Sequence, residues 1–475
     1  MDHLINSFHV LLVPFQTVFT QPSFQLFLTL TTGWVLSVRH RFVTELIYSG
    51  DKVGDGHWSR FHRFFSHNVW SLDDLCLVLT RLLLAAFAPQ GIIHLALDDT
   101  LCRKRGLNLF GAGMHHDPLL SSKAVKLVSW GHNWVVLCLI VSLPSWAPTK
   151  SFALPIAFRL YLNLQGNNKG KKKKKPIDNR SRAATNQATK TKTKSTRPKC
   201  GTHRTRPELG LELLCWLAAA FPERVFAVAA DSLYGGRSIL SHLPSNVHLL
   251  SRVHPNGVLY EPAPTPAPGT KGRKRKKGNR LSSMTDWAND STPWTTLHFD
   301  QFGLHADLSV KTRQGLYYKA GRQRLLSFVL VQDNSGKRPL SIFYSTLLDW
   351  TAPQILSAYA SRWSIEVTFE NGKQLLGFED PANRLPRAVQ RTAPMGMILI
   401  SLITLWFHQE GHSQVRFPCR PWYTHKKEPS FGDMLSTLRR LSWTELWEGV
   451  GDNHGSQKPK PSLLAKIIEF LSRPG

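Results

Sequence analysis

Three acids in this 475-residue chain stand where carboxylates can do chemistry. Asp98 closes the apolar run Ile92-Ile-His-Leu-Ala-Leu97, and Asp231 closes Val225-Phe-Ala-Val-Ala-Ala230. A carboxylate at the end of an apolar strand emerges into the crevice where open α/β sheets carry out their chemistry. Taken singly, either Asp could equally cap a following helix. The third acid lies in Tyr359-Ala-Ser-Arg362-Trp-Ser-Ile-Glu366-Val-Thr-Phe-Glu370-Asn-Gly-Lys373. At about 100° per residue, Tyr359, Arg362, Glu366 and Lys373 share one helix face within an arc of about 60°, roughly 21 Å long. Glu370 falls on the same face, so periodicity does not choose between the two glutamates. A Glu flanked by Arg, Tyr and Lys suits a metal-ligating carboxylate beside phosphate contacts. The plain alternative is a solvated face with spaced ion pairs.

The elements that must position these acids alternate. Residues 1–85 read as mostly helical, and Trp58 to His67 interleaves aromatics with Arg60 and Arg63, a mixture that suits a phosphate-contacting surface as well as an amphipathic core helix. Residues 92–98 and 224–231 read as buried strands, and Leu209–Phe221 as a helix. Residues 124–143 read as further strand with a hairpin at Trp130-Gly-His-Asn133, its His132 held by a hydrogen bond. Residues 295–350 alternate apolar and polar as antiparallel strands do, and Pro353 opens a long helical pattern in which Trp363 is expected to pack in the core. Strands alternating with helices specify an α/β domain. The apolar runs Trp134–Pro144 and Ala393–Phe407 are shorter than the roughly 20 residues a membrane helix needs, so both are expected in the core and no membrane contact is expected.

The chain carries 60 Lys and Arg against 32 Asp and Glu, a net +28, which calls for a polyanionic partner. Most of that charge is local, 21 of the 28 in two segments. Residues 166–207 hold fifteen Lys/Arg against the single acid Asp178, with almost no apolar residue, and read as a disordered Lys-rich insertion. Residues 268–280 hold seven more, including Arg273, Lys274 and Arg275, and no acid. Six scattered cysteines without a CxxC pair exclude a disulfide framework and a thiolate zinc site, and fit a reducing compartment. The opening Met1-Asp2-His3 has no cationic stretch of the kind that begins a signal peptide.

The spacing Tyr359-x2-Arg362-x3-Glu366-x6-Lys373 resembles the signature of a large group of DDE transposases of bacterial insertion sequences. Leu97-Asp98-Asp99-Thr100 and Asp231-Ser-Leu-Tyr234-Gly235 resemble that family's first two acidic motifs. Trp130 to Val136, Ser251 to Gly257 and Gly272 to Gly278 resemble further segments, so the likeness covers roughly residues 57–443. It implies a ribonuclease-H-like mixed sheet flanked by helices, with an N-terminal helical domain that grips DNA ends (1–88). The catalytic domain would run through 89–250 and resume at 351–410 with the signature helix. A mainly β insertion domain (251–350) would lie between, with its basic loop at 268–280. A tail, 411–475, would follow, with a short helix at 463–471.

The resemblance also implies the chemistry. Asp98, Asp231 and Glu366 would hold two Mg²⁺ ions, which Mn²⁺ can replace, about 3.5–4 Å apart, with Asp98 shared between them. Three carboxylates without Cys or His are the right donors for a hard cation. Tyr359, Arg362 and Lys373 would contact the DNA backbone, helped by Arg60, Arg63, Arg273, Lys274 and Arg275. The partners would be double-stranded DNA, as inverted-repeat ends and as target, and a second copy of the chain in a cytoplasmic, nucleoid-associated complex. A two-metal nuclease that only hydrolyses DNA, or a domesticated DNA-binding protein without catalysis, are the other readings. Inverted repeats flanking the coding region would favour a mobile element.

Deleting residues 167–199 should leave the far-ultraviolet circular dichroism spectrum and the thermal midpoint unchanged and flatten the salt dependence of non-specific DNA binding. A deleted chain that no longer folds would show that the segment is structural.

Overall fold

A computed structural model describes residues 4–50, 56–122, 124–163, 203–266, 272–417, 425–451, 467–468 and 471–472. Most of the Lys-rich insertion and most of the expected helix at 463–471 lie outside the described residues. The insertion also ends earlier than its composition suggests. Thr205 and Glu208 form a capping box, each side chain bonding the other's backbone end, and Arg206 already begins a helix.

Among the described residues five α-helices precede the first strand: α1 (Asn6–Leu12), α2 (Gln21–Leu36), α3 (Val43–Ser49), α4 (Ser59–Ser66) and α5 (Leu72–Phe87). Pro22 in the first turn of α2 forfeits no helical hydrogen bond. Ser71 caps α5 by accepting from the Asp74 backbone N–H, and Asp73 and Asp74 meet the positive end of the helix. Phe19, Phe27, Phe64 and Trp70 stack into one aromatic cluster that binds these helices together.

The sheet follows as β1 (Ile93–Arg103), β2 (Gly113–His116), β3 (Val128–Ser142) and β4 (Ser151–Tyr161), then α6 (Arg206–Ala220), β5 (Phe226–Ala230), α7 (Arg237–Leu240) and β6 (Val247–Arg252). β4, β3 and β1 run antiparallel, while β5 and β6 lie parallel to β1 on its other side. The order β4-β3-β1-β5-β6 is that of a ribonuclease-H-like sheet. Next come α8 (Met284–Asn289), β7 (Thr295–Gln301), β8 (Leu304–Leu316), α9 (Tyr318–Gly321), β9 (Leu325–Asp333) and β10 (Ser341–Ser345). These strands build no second sheet. β10 pairs antiparallel with β6, and the order continues β10-β9-β8-β7, so one ten-stranded mixed sheet runs through the protein. Among the described residues four further long helices follow: α10 (Ala352–Ser361), α11 (Ser364–Leu375), α12 (Pro386–Gln409) and α13 (Phe431–Gly451).

Two expectations about β1 and β3 need correction. Asp98 lies inside its strand, because β1 keeps pairing with β3 through Arg103↔Gly131. The parallel pairing with β5 does stop at Leu97↔Ala230, so only that side of Asp98 is open. No hairpin forms at 130–133, because these residues are internal to the same ladder. Gly131 is there for room: a Cβ would fall 2.1 Å from the Cys102 carbonyl oxygen. His132 is buried, with Nε2 hydrogen-bonded to the Phe110 carbonyl, and burial pushes its pKa down to about 4.

The apolar stretch at 393–407 belongs to a longer helix than the sequence suggested. α12 has 24 residues and a mean hydropathy of 1.4 in its most apolar window, enough by length and composition to cross a membrane. That window is 94% buried inside the protein, where α12 packs on β4, α4, α5, α11 and α13. Protein therefore already covers its apolar surface. Arg391 of this helix donates to the carbonyls of Phe65, Asn68 and Trp70 and lies over the Trp70 ring, which ties the N-terminal helices to the sheet.

Gly131→Ala should destabilise the protein by about 1–3 kcal/mol or more, the usual cost of forcing volume into a packed interior, read as a lower urea midpoint. An unchanged midpoint would contradict the close approach of β1 to β3.

Candidate active site

The register of β1 and β5 builds the site's base. Leu97 and Ala230 are the last paired residues of the two parallel strands, so Asp98 and Asp231 follow side by side. Asp231 is held as the hinge of a turn. Its Oδ1 accepts from the backbone N–H groups of Leu233 (2.9 Å) and Tyr234 (3.3 Å), and its carbonyl accepts from Ser251 Oγ (2.9 Å). Gly235 follows where a Cβ would strike Ser251 Oγ at 2.4 Å, and its carbonyl accepts from the buried Tyr344 hydroxyl.

α10 and α11 bring the third carboxylate across the sheet. They are not the single uniform helix expected from the periodicity. Between them the backbone bonds Arg362→Tyr359, Trp363→Ala360, Ile365→Arg362 and Glu366→Trp363 all span three residues, so the chain tightens into a 3₁₀-like turn. This turn aims Arg362 at the sheet. Its Nη1 donates to Asp98 Oδ2 at 2.8 Å, and its Nη2 lies 3.5 Å from Glu366 Oε1. Trp363 is consequently turned outward. It is 61% exposed, contrary to the core position expected of it, and lines a cavity of about 840 Å³ beside Arg362. β4, β8, β9, β10, α11 and α12 all contribute to the cavity's walls, with Arg252 and Arg338 among its polar lining.

The two glutamates of the signature separate cleanly. Glu366 faces Arg362, whereas Glu370 is exposed and accepts from Gln374 one turn on. Tyr359 packs its ring on Phe343 with centroids 4.7 Å apart, and the Arg362 guanidinium lies 5.5 Å from its centroid. Lys373 donates to the Leu101 carbonyl at 2.8 Å, which clamps α11 to β1. Arg60 and Arg63 lie on α4, the first carrying its guanidinium over Phe61 and the second exposed. Arg273, Lys274 and Arg275 are exposed on the loop before α8. Lys277 anchors that loop, with Nζ 3.5 Å from the Tyr260 ring centroid and 5.1 Å from that of Tyr318.

One contributor was missed by sequence reasoning. Asp99 points to the opposite face of β1 from Asp98. It accepts from Asn133 Nδ2 (2.9 Å), Arg206 Nη1 (2.7 Å) and the Tyr234 hydroxyl (2.8 Å). It therefore ties β3, α6 and the turn that carries Asp231 to β1. The signal was available, since adjacent residues of a strand face opposite ways.

Electrostatics describe a site short of positive charge. Burial pushes the Asp98 carboxyl up to about 7, with Asp231 and Asp99 adding to the rise against the pull of Arg362. Burial also raises Asp231 and Glu366, and Asp231 raises Glu366 further. Burial works against the charge on Arg362, but Asp98, Tyr359 and the other acids outweigh it and raise its pKa. The donor set is all carboxylate oxygen and carries uncompensated negative charge, which fits a hard divalent cation. Among the described residues, however, no three His, Cys, Asp or Glu side chains converge closely enough to hold one ion. The Arg362 guanidinium lies among the acids instead.

The sequence pattern of the DDE superfamily endonucleases matches residues 14–319, more than half the chain. That span includes Asp98 and Asp231 and ends before Glu366, so the third carboxylate stands on its geometry. No curated protein matches the chain.

The raised Asp98 pKa has a signed consequence. The folded chain keeps this proton between about pH 4 and 7, where the unfolded chain has released it, so the group's contribution to stability falls as pH rises through that window. Asp98→Asn should therefore gain stability relative to wild type between pH 4.5 and pH 8, by up to about 3 kcal/mol. Urea unfolding at the two pH values measures it, and a difference independent of pH would refute it.

Proposed function

The chain belongs to the DDE superfamily endonucleases, and on that premise we propose that it is a DDE transposase. It cuts DNA at the ends of an insertion sequence and joins the freed 3′-hydroxyls to target DNA. The observation that carries this reading is that Arg362 contacts Asp98 and Glu366, while Asp231 follows beside Asp98 on the neighbouring strand, so that acids from three distant parts of the chain share one region.

In this reading Asp98, Asp231 and Glu366 would hold Mg²⁺, for which Mn²⁺ could substitute, and the ions would supply a more acidic water and stabilise the leaving oxygen. The protein's own groups do the rest. Asp231 is held by the turn that occupies its Oδ1, which leaves Oδ2 for the site. Arg362 exchanges a carboxylate for a backbone phosphate, an exchange suited to a planar fork that serves both anions. Tyr359, seated on Phe343, orders the backbone next to the cut, and Lys373 adds charge from the following turns of α11. Hydrolysis at the element's end leaves a 3′-hydroxyl, which then attacks a target phosphate in line and displaces the target's own 3′-oxygen. The exposed cations Arg63, Arg273, Lys274 and Arg275, with Arg60, hold the flanking duplex. A homodimer would pair two ends in the bacterial cytoplasm.

Cleavage of a duplex carrying the element's own ends tests the proposal. Asp98→Ala, Asp231→Ala and Glu366→Ala should each abolish cutting in Mg²⁺ while end binding in Ca²⁺ persists, and Glu370→Ala should retain most activity. Loss of cutting in Glu370→Ala with activity kept in Glu366→Ala would overturn the assignment.

A further inference from the structure

We propose that the turn at residues 117–122, within the connection from β1 to β3, is a preformed wedge. It presses Leu119 and Leu120 into a groove of double-stranded DNA while Arg105, His116 and Lys126 meet the flanking phosphates. The proposal rests on the reading of the protein as an enzyme acting on DNA, and it names a surface outside the carboxylate site.

The segment is built around one buried carboxylate. Asp117 receives both Arg103 Nε (2.6 Å) and Arg103 Nη2 (2.9 Å), together with Ser129 Oγ (2.6 Å) and the backbone N–H of Leu119 (3.1 Å). Its carbonyl accepts from Ser121 Oγ, and its own N–H donates to the Leu127 carbonyl. The Arg103 guanidinium holds this carboxyl well below its ordinary range. The turn that follows Asp117 is therefore fixed in shape, and what it displays is apolar. Leu119 is 77% exposed, and Leu107, Leu120, Val125 and Leu127 are exposed as well. Exposed leucines displayed on a turn that a buried carboxylate fixes in shape mark a partner surface.

Charge decides which partner. Asp117 is the only acid in residues 104–127, and Arg103 pairs with it, so the segment's own Arg105, His116 and Lys126 fringe the leucines; Glu379, from the loop after α11, is engaged by the Arg103 backbone N–H. A second copy of a chain with net charge +28 would bring like charge to this face, whereas a duplex brings phosphates. Apolar side chains set among cations are how proteins unstack a base step and hold the bent duplex. The location agrees. Asp98 and Arg103 are five residues apart on β1, about 17 Å, or half a turn of B-DNA. A duplex engaged at the carboxylates and running along β1 reaches the wedge within one turn.

The test uses the full chain, a fluorescein-labelled duplex in Ca²⁺, and anisotropy titrations over a range of salt. Leu119→Ser/Leu120→Ser alters only exposed side chains. It should weaken binding about tenfold, as expected for losing the burial of two partly covered leucines, with the salt slope unchanged. Arg105→Ala/Lys126→Ala should lower that slope by about two, one unit per phosphate contact. 2-Aminopurine placed along the duplex should brighten with wild type and stay dark with the leucine variant. A leucine variant that binds like wild type at every salt concentration overturns the wedge. So does one that turns a dimer into a monomer on size exclusion with DNA affinity unchanged, which would assign the face to a second copy. Wild-type protein that cuts DNA while the leucine variant is indistinguishable from it removes the wedge and leaves the transposase reading intact; wild type that binds no duplex removes both.

Discussion

Carboxylates gathered out of water repel one another and resist ionisation, and in this protein a single guanidinium offsets much of that cost. Arg362 spans Asp98 and Glu366 from the turn between two helices, so the acids of β1 and α11 are held as one unit. Removing one partner of such a buried pair leaves a charge without compensation, which is why the arrangement depends on each member. Burial is the main reason that the Asp98 pKa is pushed to about 7; Arg362 pulls it back, and Asp231 and Asp99 add to the rise. Hard cations are what these carboxylates suit.

The rest of the structure keeps that pairing in register. α11 is clamped along its length by Lys373 on the Leu101 carbonyl, and at its end by Trp34 Nε1 on the Leu376 carbonyl and Arg41 on that of Leu375. Gly377, at a φ of +62° and so in the left-handed region, turns the chain away there. Lys104 then holds the departing loop through the carbonyls of Glu379 and Pro381. Trp34 and Arg41 belong to the N-terminal helical region, so the elements read as gripping DNA ends also brace the helix that carries Glu366. A displacement of α2 or α3 would be felt directly at the carboxylates.

Cationic charge is distributed with a similar economy. The loop before α8 exposes Arg273, Lys274 and Arg275 while Lys277 is pinned between Tyr260 and Tyr318. The segment after β1 is fixed by Asp117 and exposes Arg105 and Lys126. In both, one residue is spent on holding the backbone so that its neighbours face solvent, which lowers the ordering cost of meeting a phosphate backbone.

The three acids were legible in the sequence because each follows a pattern set by local physics. Apolar strands run out at Leu97 and Ala230, and a helical stripe joins Arg362 to Glu366. The alternation of strands and helices likewise specified an α/β sheet, and composition alone marked the Lys-rich and basic segments. What the sequence left open were matters of pairing. Asp98 lies inside a strand because β3 continues alongside it, and Gly131 sits in a ladder where a hairpin was expected because Cys102 lies against it. The strands of 295–345 join the ribonuclease-H-like sheet because β10 finds the edge of β6. The choice between Glu366 and Glu370, the outward turn of Trp363 and the service of Asp99 on the opposite face all depend on a turn three residues to the bond and on partners more than a hundred residues away. Periodicity reports which residues share a face; only the packed chain decides what that face meets.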